Sequence, residues 1–457
     1  MALRPRMSRA FLSDLLSIVA DRARRWRWRS TNTKILPTRA ASLFDLCTDL
    51  LSRRGEASGT AIALDVLDQY ARLDEAGRLT YFEMLAKQFG PDRKKLEQVV
   101  AAWHSNTATE SDIHFASEPR RQELFRRLNR APGGTTALVR IREQLLTCLS
   151  SKAGLTIVDR DMAHLFFSWF NRGFLVLKPI DWTSPVNILE RIIQHEAVHA
   201  IQNWDDLRNR LKPTDRRCFA FFHPQLADEP LIFVEVALTK EIPVAIAPLL
   251  EFDRVPISAH EATIAVFYSI SNTQKGLAGV SFGSFLIKQV AADLQYELPH
   301  LKIFVTLSPI PGFASWLNKE RADKATQWVS TSARAALKHL DEPGWHTDPI
   351  RCATVQQALL PIVASYLVKA RTSNGRPIDP VARFHLGNGA SLERINFLGD
   401  SSSNGLEQSH GLMVNYCYAL DDIEKNHEAY AERGTVVASP AVHEQLRANM
   451  LASIPAR

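Results

Sequence analysis

Apolar positions are spaced differently in the two parts of this chain, and the difference predicts two kinds of structure. From Ala61 to Phe89 they recur at intervals of three and four: Leu64, Leu67 and Ala71, then Phe82, Leu85 and Phe89. This predicts helix, with Gly77 breaking or weakening its middle. Glu118 to Leu128 reads as a short helix and Pro132-Gly133-Gly134 as a turn. Thr135 to Leu149 then places Leu138, Ile141, Leu145 and Cys148 on one stripe. No strand-like run of any length occurs before about residue 155. Residues 1–160 are therefore expected to form an all-helical bundle, either an oligomer or partner surface or a bundle that packs on the rest of the chain.

After residue 160 the texture changes. Phe174–Leu177, Cys218–Phe222, Leu231–Ala237, Ile264–Ile270 and Ile303–Leu307 are short, rich in β-branched or aromatic residues, and bounded by polar turns. Between the last two, Phe282 to Glu297 has a helical pattern, giving a strand–loop–helix–strand unit. Ala314 to Leu340 and Thr354 to Arg371 also read as helical. Residues 161–457 are expected to be an α/β domain. No internal repeat is visible.

The composition of the 457 residues is ordinary for a globular protein, and the length suits two domains. No apolar run approaches the roughly 18 residues that span a bilayer, so no membrane role is expected. A net charge of +6 suits an anionic substrate, and no nucleic-acid-binding signature accompanies it. The five cysteines are scattered and form no CxxC, which argues against a disulfide framework or a cysteine zinc site and fits a reducing cytoplasm. In the basic start, MALRPRMSRA-FLSDLLSIVA, Asp14 interrupts the apolar run and no clear cleavage site follows, so a secretory leader is not expected. Its Arg-rich, largely amphipathic character leaves a mitochondrial matrix location as the alternative to a cytoplasmic one. Pro455-Ala456-Arg457 is not a peroxisomal address.

Four stretches carry candidate chemistry. His195-Glu-Ala-Val-His199 matches H-E-x-x-H, which on a helix pairs two zinc ligands with a base. It lacks a metzincin third histidine, and an amphipathic helix from Asn187 to Trp204 with two incidental histidines accounts for it as well. Ser269 to Gly283 joins a strand to a helix. Its glycines Gly276, Gly279 and Gly283 allow close backbone approach, and the helix start offers N–H groups to an anion such as pyrophosphate. It is neither a Walker motif nor a clean GxGxxG, and Gln274-Lys-Gly-Leu-Ala-Gly279 departs slightly from the pyrophosphate loop of GNAT acyltransferases. In Leu307-Ser-Pro-Ile-Pro-Gly-Phe313, Ser308 ends a buried strand before a loop stiffened by two prolines, where a ligand carboxylate or thioester would meet it. In Asp379 to Asn396, His385 alternates with Phe384 and Leu386 in strand fashion, with acid–base work or a structural hydrogen bond both open to it.

Taken together and in order, SISNTQKGLAGVSFGSFLIKQV, TLSPIPGF, DPVARFHLGNGASLERINFLGD and GLMVNYCY resemble the malonyl-CoA decarboxylase family. RCFAFFHPQLADEPLIFVEVALT and SWFNRGFLVLKPIDW share that family's texture. The resemblance covers the chain after residue 160 and, more loosely, the helical part. It implies an N-terminal helical domain that serves oligomerisation, as a dimer or tetramer, and a GNAT-like mixed-sheet catalytic domain. It also implies a catalytic Ser308 and His385, and Tyr418 near the active site. The CoA-binding segment maps onto Ala278, Gly279, Val280, Ser281, Phe282, Gly283 and Ser284, with Gln274 and Gly276 leading into it. The family often carries Glu at the position of Ser281, and its EAVH usually lacks the leading histidine, which makes His195 incidental. The implied reaction is malonyl-CoA to acetyl-CoA and CO2, with no metal or organic cofactor, Ser308 holding the carboxylate and His385 giving the proton. A CoA-dependent acyltransferase is the alternative, a zinc peptidase a more distant one.

Overall fold

The computed structural model describes residues 42–52, 56–226, 229–280 and 286–452. The basic N-terminal segment and the expected CoA-binding residues Ser281, Phe282, Gly283 and Ser284 lie outside them. Two compact units emerge. One runs to Ser168 and takes in Gly276–Val280; the other comprises Trp169–Lys275 and the rest of the chain from Ser281. The boundary expected after residue 160 falls inside helix Thr156–Trp169, and the units part at its end.

In the first unit, helices Leu43–Leu51, Glu56–Ala71, Glu75–Gln88, Arg93–His104, Glu110–Ser117, Arg120–Asn129, Gly134–Cys148 and Thr156–Trp169 follow one another. Their stripes supply the core, with Leu124, Leu128, Leu138, Leu145, Val158 and Phe166 buried. Gly77 does not break the long helical stretch. The break falls at residues 72–74, where the Asp74 side chain caps the next helix by accepting the Gly77 N–H at 2.8 Å. Arg121 and Asp161 form a buried ion pair between two helices.

The second unit is built on an eight-stranded sheet in the order β1-β2-β3-β4-β5-β8-β6, with β7 also paired to β8. The strands are β1 (Val176–Ile180), β2 (Arg216–Phe222), β3 (Ile232–Thr239), β4 (Ile264–Asn272), β5 (Ile303–Thr306), β6 (Ser308–Pro309), β7 (Ser391–Asn396) and β8 (Met413–Cys417). β1 to β4 are antiparallel; β4 and β5 are parallel, joined through helix Leu286–Glu297. A mixed sheet with one parallel pair bracketing a helix is the arrangement expected of the acyltransferase-type catalytic domain.

Alternation along the strands separates two faces. Val266, Tyr268, Val305, Leu307 and Met413 pack into an apolar cluster with Ile246 and Leu249. Phe267 and Thr306, opposite each other across β4 and β5, point the other way, and Ser308 follows Thr306 by two. β8 shares one ladder pair with β5, Val305 with Cys417, and then pairs with β6 at Val414 and Ser308. That switch seats Ser308 in the ladder opposite Val414 instead of leaving it at a frayed strand end.

Two local expectations are corrected. The segment Asn187 to Trp204 is not one helix. Helix Val186–His195 ends because Glu196 turns extended, with φ −65° and ψ 108°, and a second helix starts only at Trp204. Glu196 accepts the N–H groups of Val198 and His199 at 2.8 and 2.9 Å, replacing the ladder that would have carried the helix on. His385 does not lie in a strand either. Pro380–Gly387 is a helix, with Asp379 as N-cap accepting the Ala382 N–H at 2.7 Å and Pro380 in the first turn.

Candidate active site

Three elements converge on His385. Its own helix carries it inward, so that only 3 % of it is exposed. The helix ends at Gly387 and is capped by Asn388; just past the cap, Gly389 has a φ of +83° and approaches the Ile423 carbonyl so closely that no Cβ would fit. The His385 carbonyl accepts the N–H groups of Asn388 and Ala390, both at 3.1 Å, which fixes the backbone under the ring. β8 supplies a ring above it: Tyr416 stacks on His385 with centroids 4.6 Å apart and planes 24° from parallel.

The imidazole is bonded at both nitrogens. Nε2 lies 3.0 Å from Ser308 Oγ and Nδ1 lies 2.8 Å from the Tyr418 hydroxyl. Ser308 and His385 are 77 positions apart in the chain, so only the fold brings them together. The protons can be assigned from the serine. Ser308 has one hydroxyl hydrogen and donates it to Thr306 Oγ1 at 2.9 Å. Its bond with His385 is therefore donated by Nε2–H, and Nδ1 accepts from the Tyr418 O–H. A directed chain results: Tyr418 to His385 to Ser308 to Thr306.

Burial pushes the His385 pKa down to about 3, so at neutral pH the ring carries one proton and no charge. Burial also raises Tyr418 and Tyr416 well above the ordinary phenol range, keeping both protonated. The site thus holds a neutral relay in a medium where each polar contact counts more than it would in water.

Residues not singled out in the sequence complete the site. Thr306 Oγ1 also accepts the Tyr416 N–H at 3.1 Å. Asn415 donates to the Thr306 carbonyl at 2.7 Å and accepts from Asn396 at 2.8 Å, while Arg394 donates to both asparagines. These bonds hold β8 where its ladder with β5 is interrupted. Strand periodicity was the available signal: Thr306 and Ser308, like Tyr416 and Tyr418, are two apart and share a face. Asp379 is 1 % exposed, and burial lifts its carboxyl to about 7.

The Gln274 amide donates to Glu229 and the Pro230 carbonyl, at 3.2 and 3.3 Å. Gly279 has φ +73°, and a Cβ there would meet nothing within 4 Å. Ala278 and Val280 flank it. Gly276 differs: a Cβ there would run into the Val139 carbonyl, so its missing side chain serves close packing against a helix and leaves no open space for a ligand. The H-E-x-x-H residues do not share a helical face. Glu196 is engaged by the hydroxyl of Ser269, at 2.8 and 2.7 Å to its two oxygens, which makes it an anchor between a loop and β4.

A buried serine, histidine and tyrosine joined in one directed hydrogen-bond chain on a mixed sheet form an arrangement chemically able to pass a proton. Comparison with known proteins makes this specific. The malonyl-CoA decarboxylase N-terminal domain matches residues 89–170 and the C-terminal domain residues 173–454. Mitochondrial malonyl-CoA decarboxylase of Rattus norvegicus is 35 % identical over 414 residues, covering 83 % of this chain and 84 % of the relative. That of the goose Anser anser anser is 34 % identical over 411 residues, covering 82 % and 81 %. Crystal structures of malonyl-CoA decarboxylase from Rhodopseudomonas palustris and Agrobacterium vitis superpose with TM-scores of 0.86 and 0.84, at 57 % and 56 % identity. Each covers 89 % of this chain and all of its own. The chain belongs to the malonyl-CoA decarboxylase family.

Proposed function

We propose that Ser308, His385 and Tyr418 carry the chemistry of this carboxy-lyase, which converts malonyl-CoA to acetyl-CoA and CO2. The observation behind this is the directed chain through the neutral imidazole. Loss of CO2 leaves an enolate on the thioester, and that enolate needs a proton at its α-carbon. Ser308 Oγ and His385 Nε2 are 3.0 Å apart, so one malonyl group can touch both. Ser308, turning its hydroxyl from Thr306 to the substrate, holds the departing carboxylate. His385 delivers its Nε2 proton to carbon as Tyr418 passes its own to Nδ1. The Tyr418 phenolate then takes its proton back from Nδ1 as Nε2 gains one from solvent, which restores the starting tautomer. The reaction consumes one proton per turnover. The thioester carbonyl is itself the electron sink, so the chemistry calls for no metal or organic cofactor.

The loop from Gln274 to Ser284 is assigned to CoA, with backbone N–H groups of its glycine-bearing segment meeting the pyrophosphate. The helical unit is assigned to a homo-oligomer contact, which light scattering tests, and the protein to the cytoplasm. The deciding assay is incubation with malonyl-CoA in chelator-treated buffer without any amine. Acetyl-CoA and CO2 are expected in equal amounts. Stoichiometric zinc whose removal abolishes turnover, or a strict need for an acceptor amine, overturns the mechanism.

A further inference from the structure

Segment Gly276–Val280 packs as part of the helical unit, although the chain enters it from β4 and leaves it toward helix Leu286–Glu297. Several features pin it there. Gly276 lies so close to helix Gly134–Cys148 that its Cα faces the Val139 carbonyl with no space for a methyl group. The Gly276 carbonyl accepts from Arg142 Nη1 at 2.8 Å, in a buried bond. Arg142 is itself fixed: its Nε donates to Asp159 at 2.8 Å and its guanidinium lies 6.0 Å from the centre of the Phe166 ring. Leu277 and Val280 bury their side chains, and the Val280 N–H closes a turn onto the Leu277 carbonyl at 3.0 Å. Between these anchors, Gly279 faces open space at φ +73°. The segment is thus held at both ends and open in the middle, the form a preorganised anion loop requires.

We infer that the helical unit is the mount of segment Gly276–Val280, the described part of the CoA-binding loop that packs with it, and that Arg142 is a positioning residue that sets affinity for the nucleotide end of the substrate. This rests on the assignment of the loop to CoA. Arg142 touches no substrate atom; it fixes the carbonyl of Gly276, and through it the direction of the N–H groups from Leu277 to Val280. A planar guanidinium that bonds Asp159 and Gly276 together does what a single ammonium cannot.

The test compares two substrates: malonyl-CoA, and the malonyl thioester of N-acetylcysteamine, which lacks the pyrophosphate and nucleotide. In Arg142→Met the expected loss of kcat/KM on malonyl-CoA is about 10- to 100-fold, mostly in KM, as for a binding element displaced by an ångström or so. On the truncated thioester the expected change is no more than about threefold, on the same reasoning. Arg142→Lys should recover part of the CoA affinity. Equal losses on both substrates, or none on either, overturn the proposal. If Arg142→Met does not fold, Gly276→Ala is read with the same pair, since its methyl group must push the segment off Val139. Gly279→Val separates the two layers of the argument. If it discriminates against malonyl-CoA while Arg142→Met and Gly276→Ala do not, the mount is wrong and the loop assignment stands. If it affects both substrates equally, the loop assignment falls.

Discussion

Replacing Tyr418 by phenylalanine removes one oxygen atom from the relay and little else. The ring remains, and so does its edge-on contact with Phe267 at 6.3 Å between centroids. What disappears is the donor 2.8 Å from His385 Nδ1. The imidazole cannot recover by changing tautomer. With the proton on Nε2, Nδ1 is a buried acceptor without a donor; with it on Nδ1, a buried donor has no acceptor and the proton has left the side facing Ser308. An unpaired buried group costs about 1–3 kcal/mol, which sets the expected loss of folding stability. The kinetic loss has a second source, because His385 must now give up its proton with nothing replacing it at Nδ1. General acid catalysis contributes about 10²- to 10⁴-fold, and Tyr418 stands one step behind the donor, so a fall in kcat near 10²-fold is expected. KM for malonyl-CoA should stay within about threefold, as befits an interaction used only in the transition state. Steady-state acetyl-CoA formation, with thermal unfolding as the control for folding, measures both. A folded Tyr418→Phe enzyme with kcat within about threefold of the parent would refute the relay.

His385→Ala should lower kcat by about 10²- to 10⁴-fold with CoA binding largely kept, and Ser308→Ala should also lower it. The double variant should lose much less than the product of the two, because they act as a unit; a fully multiplicative loss in steady-state assays would separate them. Thr306→Val takes away the acceptor of the Ser308 O–H, and an activity drop of about 10-fold is expected, matching one misplaced hydrogen bond; parental kcat would show that Thr306 does not orient the serine. The fold should also weaken in mild acid. Burial lowers His199 and His410 to about 4 and His385 to about 3, below the roughly 6.5 of an unfolded chain. Above pH ~6.5 both states are neutral; below it the unfolded chain takes up protons that the folded one refuses, at about 1.4 kcal/mol per pH unit for each histidine until the folded pKa is reached. Urea unfolding at pH 6.5 and 5.5 should show His199→Gln losing about 1 kcal/mol less than the parent over that unit, because the unfolded imidazole is already half protonated at its upper end. Identical losses in the two proteins would contradict this account.

Much of the architecture is written locally. Spacing of three and four in the first part, and short β-branched runs after it, specify helices and strands because each depends on neighbours a few residues away. The positions of β2, β3, β4 and β5 were legible for that reason. Ser308 and His385 stood out through their motifs and family likeness, yet no local signal could state that they touch across 77 positions. That contact depends on β8 leaving β5 after one pair and taking up β6, and on the helix from Pro380 turning His385 inward. The strand reading of Phe384-His385-Leu386 failed because three alternating residues weigh less than the Asp379-Pro380 helix start before them. The helix through H-E-x-x-H failed because the Glu196 carboxylate found partners on β4 and in its own loop, which periodicity cannot foresee. Gly276 looked like an opening for a ligand, and only tertiary packing made it the contact point with Val139. The sequence by itself thus determined the elements and most of the reactive groups. Long-range pairing decided which groups meet, which proton each one carries, and which glycine faces solvent, because burial and hydrogen-bond partners are properties of the assembled chain.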